Sequence, residues 1–120
     1  MKFHNLHITT KNIETYQKVT SLLGVIPALE TEDYNLWTYQ VVTDEHNDYF
    51  DFINVFLELL EPNFERLKIL GIDKEDILFW LFYEYDQQCA MGFSAKEMKR
   101  LGESGISLNV DCIQKKNQTL

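Results

Sequence analysis

Three histidines are the first residues to test for chemistry, since imidazole is a common metal ligand and carries protons near neutral pH. His4 and His7 are three residues apart in Phe3–Thr9, where polar and apolar residues alternate as in a strand. Side chains three apart on a strand point to opposite faces, so His4 and His7 cannot bind one metal ion. A metal site that combined His46 with either His4 or His7 would need a contact between distant parts of the chain. The sequence therefore predicts no metal site and no cofactor.

The two cysteines, Cys89 and Cys112, show neither the spacing of a metal site nor that of a redox motif. A cysteine nucleophile needs a nearby base and an electropositive setting. Cys89 lies in an acidic stretch, and Cys112 follows Asp111 on a predicted strand, where neighbouring side chains point in opposite directions. We interpret both as buried free thiols in a reducing compartment, with a disulfide between them as the alternative.

Carboxylates are the third group that could do chemistry, and several lie close in sequence, such as Asp48 with Asp51 and Asp73 with Asp76. Acid–base catalysis would require one of each pair to be desolvated. These pairs lie in polar loops or at predicted helix starts, where carboxylates complement the helix dipole. The five glycines are scattered, so the sequence has no phosphate-binding loop. No catalytic residue emerges, and the sequence favours a non-enzymatic protein while leaving an enzyme open.

The charge of the chain is concentrated in its middle. The 120 residues carry a net charge of −8, but the segment from Glu30 to Asp86 has fifteen acidic and three basic residues, a net −12. This balance disfavours nucleic acid or an anionic membrane surface as the main partner, because both attract basic surfaces. We therefore expect a basic protein partner, and the alternative is a solvated face that only keeps the chain soluble.

The leading hypothesis is a non-enzymatic immunity protein that neutralises a basic toxin domain. A nuclease toxin must be basic to hold phosphates, so an acidic protein is suited to cover it. In size and charge the chain looks like bacterial immunity proteins. The predicted partner-binding residues are acidic side chains of the middle segment with one tyrosine anchor: Asp44, Glu45, Asp48, Tyr49, Asp51, Asp73, Glu75, Asp76 and Asp86.

Two other classes of function stay open. Trp37, Tyr39 and Trp80 lie on predicted strands and would line the pocket of a small-ligand-binding or enzymatic domain. Aromatic side chains on strands also form hydrophobic core, which is the competing interpretation. In the third class, an exposed strand edge would make the chain a self-associating structural module. The sequence leaves the oligomeric state open.

Hydrophobic periodicity predicts the elements that position these residues. The predicted helices begin near Ile13, Tyr49, Phe64 and Ala95. The predicted strands are Phe3–Thr9, Leu36–Val42, Ile77–Tyr85, Cys89–Phe93 and Ile106–Cys112. Because Ile77–Tyr85 is apolar at nearly every position, we expect it to lie centrally and to be buried on both faces.

Polar residues and glycines at the helix ends support this assignment. Asn12 is a predicted N-cap of the first helix, and Gly24 ends that helix. For the later helices the predicted N-caps are Asp48, Asn63 and Ser94, with Glu97 completing a capping box and Gly102 ending the last helix.

The resulting fold class is α+β, in one domain over residues 1–120. We predict a mixed or antiparallel sheet of about five strands, with three to four helices packed mainly on one face. The longest apolar run, Ile77–Tyr83, is far shorter than the roughly 20 residues that cross a bilayer, and the N-terminal residues lack the apolar core of a secretory signal. Together with the interpretation of the cysteines, this predicts a cytoplasmic protein.

Four features occur in a characteristic order along the chain: the turn Leu23-Gly24-Val25-Ile26-Pro27, a strand with Trp37, a helix from Phe93-Ser94 to Arg100-Leu101-Gly102, and a last strand Ile106–Cys112. In these features the chain resembles the bacterial 4279 family of domains of unknown function. The resemblance covers roughly residues 3 to 113 and implies the α+β fold without supplying a catalytic residue.

Overall fold

The computed structural model describes residues 1–28, 33–44 and 49–115. In these ranges four strands form one mixed sheet in the order β2-β1-β3-β4. Strand β1 is antiparallel to β2 and β3, whereas β4 is parallel to β3. The strands are β1 (Lys2–Thr9), β2 (Leu36–Thr43), β3 (Ile77–Tyr85) and β4 (Ser107–Gln114).

The helices of the described residues supply the second layer. They are α1 (Ile13–Leu23), α2 (Phe52–Leu60), α3 (Phe64–Ile69) and α4 (Ala95–Ser104). The buried residues of α1, α2 and α3 form one cluster with those of the sheet. The predicted α+β class, with one mixed sheet, is therefore confirmed.

The local signals at two helix starts are confirmed. Asn12 accepts a hydrogen bond from the backbone N–H of Thr15 at 2.8 Å, and Gly24 ends α1 with a left-handed φ of 70°. At α4, the Ser94 hydroxyl accepts from the Glu97 N–H at 3.1 Å while the Glu97 carboxylate accepts from the Ser94 N–H at 3.3 Å. Both arrangements satisfy backbone donors that the first helical turn leaves unpaired.

Two predicted caps differ from the structure. The N-cap of α2 is Asp51, which accepts from the Asn54 N–H at 3.4 Å, whereas the predicted cap Asp48 lies outside the described residues. Asn63 occupies the N-cap position of α3, as predicted, but its side chain makes no capping bond. Its side-chain Nδ2 instead donates to the carbonyl of Leu59 at 2.9 Å, so it pairs a carbonyl at the end of α2.

The last helix runs further than predicted. Gly102 lies inside α4, which ends at Ser104, so the predicted end is wrong. Gly105 takes the left-handed conformation that closes the helix, with a φ of 77°. Only glycine adopts this conformation without a steric penalty, so a glycine at position 105 suits the end of the helix.

The fifth strand predicted at Cys89–Phe93 is wrong. These residues form no strand, and the described residues hold a four-stranded sheet. The physical reason is that both edges of β3 are already paired, one with β1 and the other with β4 after the α4 crossover. No strand edge of β3 remains for a returning hairpin.

The core lies between the helices and one face of the sheet. From the sheet it receives Leu6, Ile8, Trp37 and Phe79, all of them fully buried. Burial along β3 alternates between buried and half-buried residues, so the two-sided burial predicted for this strand holds for one face only. The other face of the sheet contributes nothing to the core cluster.

The interpretation of free thiols is wrong, since Cys89 and Cys112 form a disulfide. Cys112 pairs with Tyr83 across β3 and β4, which brings it close to the loop that leaves β3 at Asp86. The parallel pairing of β3 with β4 creates this proximity. The 23-residue spacing in the sequence carries no sign of it.

Candidate functional site

The predicted acidic site is divided between two ends of the sheet. Asp73, Glu75 and Asp76 precede β3 directly, and Asp86 follows its last residue. A nine-residue strand separates them by roughly 30 Å. Asp44, Tyr49 and Asp51 lie at the Asp86 end, and Glu45 and Asp48 lie outside the described residues. The seven of these residues that the structure describes therefore do not form one contiguous patch.

Several of these carboxylates have structural roles. Asp51 caps α2 and also accepts from the Asn54 side chain at 2.7 Å. Asp73 and Asp76 form a capping box around a 3-10 turn before β3, in which the Asp73 N–H donates to Asp76 at 2.9 Å. These contacts account for their position in the sequence, as expected for carboxylates at helix starts.

Tyr49 is exposed, but its hydroxyl is already engaged. The hydroxyl donates to the Glu97 carboxylate at 2.5 Å and so connects the segment before α2 to the start of α4. Partial burial and this hydrogen bond raise the pKa of Tyr49 well above its usual range. The same hydrogen bond makes the largest contribution to lowering the pKa of Glu97. Tyr49 therefore serves as a contact between elements, and 52% of its surface remains exposed.

The three aromatic residues predicted to line a pocket are not brought together. Trp37 is fully buried on the helix-covered face, where its indole N–H donates to the Thr20 hydroxyl at 2.9 Å. Tyr39 lies on the same face, with its ring centroid 6.0 Å from that of Phe56. Trp80 lies on the opposite face. Trp37 pairs with Ile8 of β1, whereas Trp80 pairs with Asn5, whose side chain points away from that of Ile8.

That opposite face, which we call the open face, is covered by no helix in the described part of the chain. Strand pairing assigns to it every second residue of each strand. Its members are Phe3, Asn5, His7, Thr9, Leu36, Thr38, Gln40, Val42, Leu78, Trp80, Phe82, Glu84, Ser107, Asn109, Asp111 and Ile113.

A network of polar contacts holds the centre of the open face around Trp80. The Trp80 indole N–H donates to the Asp111 carboxylate at 2.8 Å. The Trp80 carbonyl accepts from the Asn5 amide at 3.2 Å, and Asn5 in turn accepts from Gln40 at 2.8 Å. The side chains around Trp80 surround a shallow depression of about 510 Å³. The depression is therefore lined by side chains whose orientations are already set.

The open face carries negative formal charge and no lysine or arginine. Glu84 and Asp111 are its two carboxylates among the residues that strand pairing assigns to it. Burial lowers the pKa of His7, so this imidazole is neutral at pH 7. A half-buried aromatic cluster with carboxylates beside it complements a basic partner.

Comparison of the chain with family models, with curated proteins and with solved structures gave no match. Within residues 1–28, 33–44 and 49–115, no three His, Cys, Asp or Glu side chains are grouped so that they could hold a metal ion. None of the helices in those ranges is both long and apolar enough to span a membrane.

Sequence reasoning missed most of the open face. The functional hypotheses from the sequence include none of Asn5, Gln40 and Asp111, although the alternation of polar and apolar residues along the strands is the signal that places them on one face. The missing information was strand order, because only the order β2-β1-β3-β4 brings the three polar sides together around Trp80.

The two histidines of β1 lead to a prediction about pH. Burial is the main cause that lowers the pKa of both His4 and His7 below 6.5. The unfolded chain then binds protons at higher pH than the folded chain, so the free energy of unfolding falls as the pH drops below about 6.5. Each histidine lowers the free energy of unfolding by at most about 1.4 kcal/mol for each pH unit of this drop.

Urea unfolding at pH 7.5 and pH 5.5 measures this dependence. The double variant His4→Phe/His7→Phe, which keeps aromatic rings at both positions, should show a smaller difference between the two pH values. Equal or greater stability of the unmodified chain at pH 5.5 would contradict the prediction.

Proposed function

We propose that this chain is a non-enzymatic binding protein that covers a basic protein domain with its open face. The observation that carries the proposal is the aromatic surface around Trp80, which has carboxylates at Glu84 and Asp111 and no cationic side chain. The net charge of −8 adds a long-range attraction to the same kind of partner.

The partner class we propose is a toxin domain, in the first instance a nuclease, which would make the chain an immunity protein. A nuclease needs a basic surface to hold phosphates, and an acidic inhibitor competes for that surface. Carboxylates steer such a partner towards the complex, while a desolvated aromatic residue at the centre supplies most of the binding energy. Trp80 is suited to the second role, and Asp44 and Asp86 border the same end of the sheet as Glu84.

A growth assay tests the proposal. The C-terminal domain of the protein encoded immediately upstream of this chain is expressed with and without the chain, and growth is followed. We expect that domain to stop growth, the chain to restore it, and the purified pair to bind less tightly as salt rises. The variant Asp111→Lys should weaken rescue. Reversing the charge of Asp51 would instead test the N-cap of α2 and not the partner surface.

Two results would overturn the proposal. One is a harmless upstream domain, or growth arrest that the chain does not relieve. The other is a chain whose open face packs against that of a second copy and so buries Trp80. Sedimentation of the isolated chain over a range of concentrations detects such self-association.

A further inference from the structure

A second cavity lies on the helix-covered side of the sheet, at the end where β1 begins. It has a volume of about 220 Å³, and its walls include Lys2 and His4 of β1, Tyr83 of β3, and Phe50 and Phe52 at the start of α2. The loop after Cys89, residues 90–93, forms another wall. The cavity is thus lined by three stretches that are far apart in sequence: the start of β1, the start of α2, and the end of β3 with the loop that follows it.

His4 is the polar group that this cavity presents. Only 3% of its surface is exposed, and its Nδ1 is 3.0 Å from the carbonyl of Val41. This bond makes Nδ1 the donor of a neutral imidazole, since a carbonyl can only accept. Burial, with a smaller effect of the Lys2 ammonium, lowers the pKa of His4 and keeps the ring neutral at pH 7. The second nitrogen, Nε2, is then a hydrogen-bond acceptor.

The Nε2 atom opens onto the cavity. It has no hydrogen-bond partner among the described residues, where the contacts of His4 are Val41 and the rings of Phe50 and Phe52. Yet the described residues contain no side-chain nitrogen or oxygen that is both fully buried and unpaired. Nε2 must therefore be reachable by solvent, and the space that His4 lines is this cavity. An acceptor that solvent reaches between aromatic walls can take a donor from a ligand in place of water.

The walls select an aromatic ligand. The His4 ring packs edge-to-face against Phe50, with centroids 4.9 Å apart, and Phe52 packs in the same manner against Phe93 at 6.1 Å. Met91 adds a sulfur atom, which contacts aromatic rings favourably. An engineered apolar cavity of about 150 Å³ binds benzene. The larger cavity of this chain accommodates a molecule of one or two fused rings.

We propose that this cavity binds a small aromatic molecule with a single N–H or O–H donor, of the size of indole or phenol, whose donor bonds to His4 Nε2. This function is independent of the open face, because the two sites lie on opposite sides of the sheet.

Indole and benzofuran are the probes that test the proposal, since they have nearly the same shape and only indole has an N–H. Each is titrated at pH 7.5 into the oxidised chain and followed by NMR. We expect saturable binding, with indole about tenfold tighter than benzofuran because of one hydrogen bond. The nitrogen resonance of His4 Nε2 should shift with indole and not with benzofuran, a measurement that needs no variant.

The variant His4→Phe keeps an aromatic ring and removes the acceptor, so it should bind both probes equally. His7→Phe is the matched control, because His7 lies on the same strand but on the open face and lines no part of the cavity. It should leave the preference for indole unchanged. The proposal is overturned if neither probe saturates, if the unmodified chain binds both equally, or if the His4 resonance does not respond to indole.

Discussion

Replacing Cys89 and Cys112 together by serine is expected to lower the free energy of unfolding by about 3 kcal/mol. The disulfide joins residues 23 apart and closes a loop that contains α4. Without it, the unfolded chain regains the conformational freedom that the cross-link removes. In the folded state it also ties the loop after β3 to β4, an edge strand whose residues are almost all exposed. Few buried contacts replace the cross-link there.

Urea unfolding of the oxidised chain, the reduced chain and the double serine variant measures this contribution. The reduced chain and the variant should unfold at similar urea concentrations, and the variant should not respond to a reducing agent. A second readout is indole binding, which should weaken in the variant because residues 90–93, a wall of the cavity, directly follow Cys89. A variant as stable as the oxidised chain would contradict the prediction.

The disulfide also bears on where the protein works. Disulfides are rare in the reducing cytosol and persist in oxidising compartments. The cytoplasmic location predicted from the sequence was argued partly from free thiols, and that part of the argument no longer holds. The cytoplasmic location is therefore a proposal, and the thiol state of Cys89 and Cys112 in rapidly quenched cells tests it.

The elements that sequence analysis predicted correctly are those defined by neighbours along the chain. Asn12 reaches an N–H three residues away, and Ser94 with Glu97 forms a box of the same span. Alternation of polar and apolar residues predicted β1, β2 and β4, and the nearly continuous apolar run predicted β3. Such signals are contained in a few consecutive residues and need no knowledge of the rest of the fold.

Features that depend on contacts between distant residues were not predictable in this way. The strand expected at Cys89–Phe93 had suitable residues, but the edge of β3 that it would need is paired with β4. The acidic residues were close in sequence and are separated by the length of β3 in the fold. Trp37 and Trp80 are both tryptophans on strands, and only the pairing with β1 shows that they face opposite ways.

Replacing Trp80 by alanine is expected to weaken binding of the basic partner by at least about 2 kcal/mol, or about 30-fold in Kd. Trp80 is half-buried at the centre of the open face, and its indole N–H is held by Asp111 at 2.8 Å. A ring fixed in this way loses little conformational freedom when a partner covers it. It can therefore contribute its remaining exposed apolar area to the interface.

Two further variants separate binding from folding. Ile69→Ala removes a side chain that is 84% exposed on α3, outside the open face, and should leave partner affinity unchanged. Trp80→Phe keeps an aromatic ring but loses the bond to Asp111, so its affinity should fall between those of the unmodified chain and Trp80→Ala. Calorimetry gives the affinities, and urea unfolding shows whether each variant is folded. If Trp80→Ala is folded and binds as tightly as the unmodified chain, the open face is not where the partner docks.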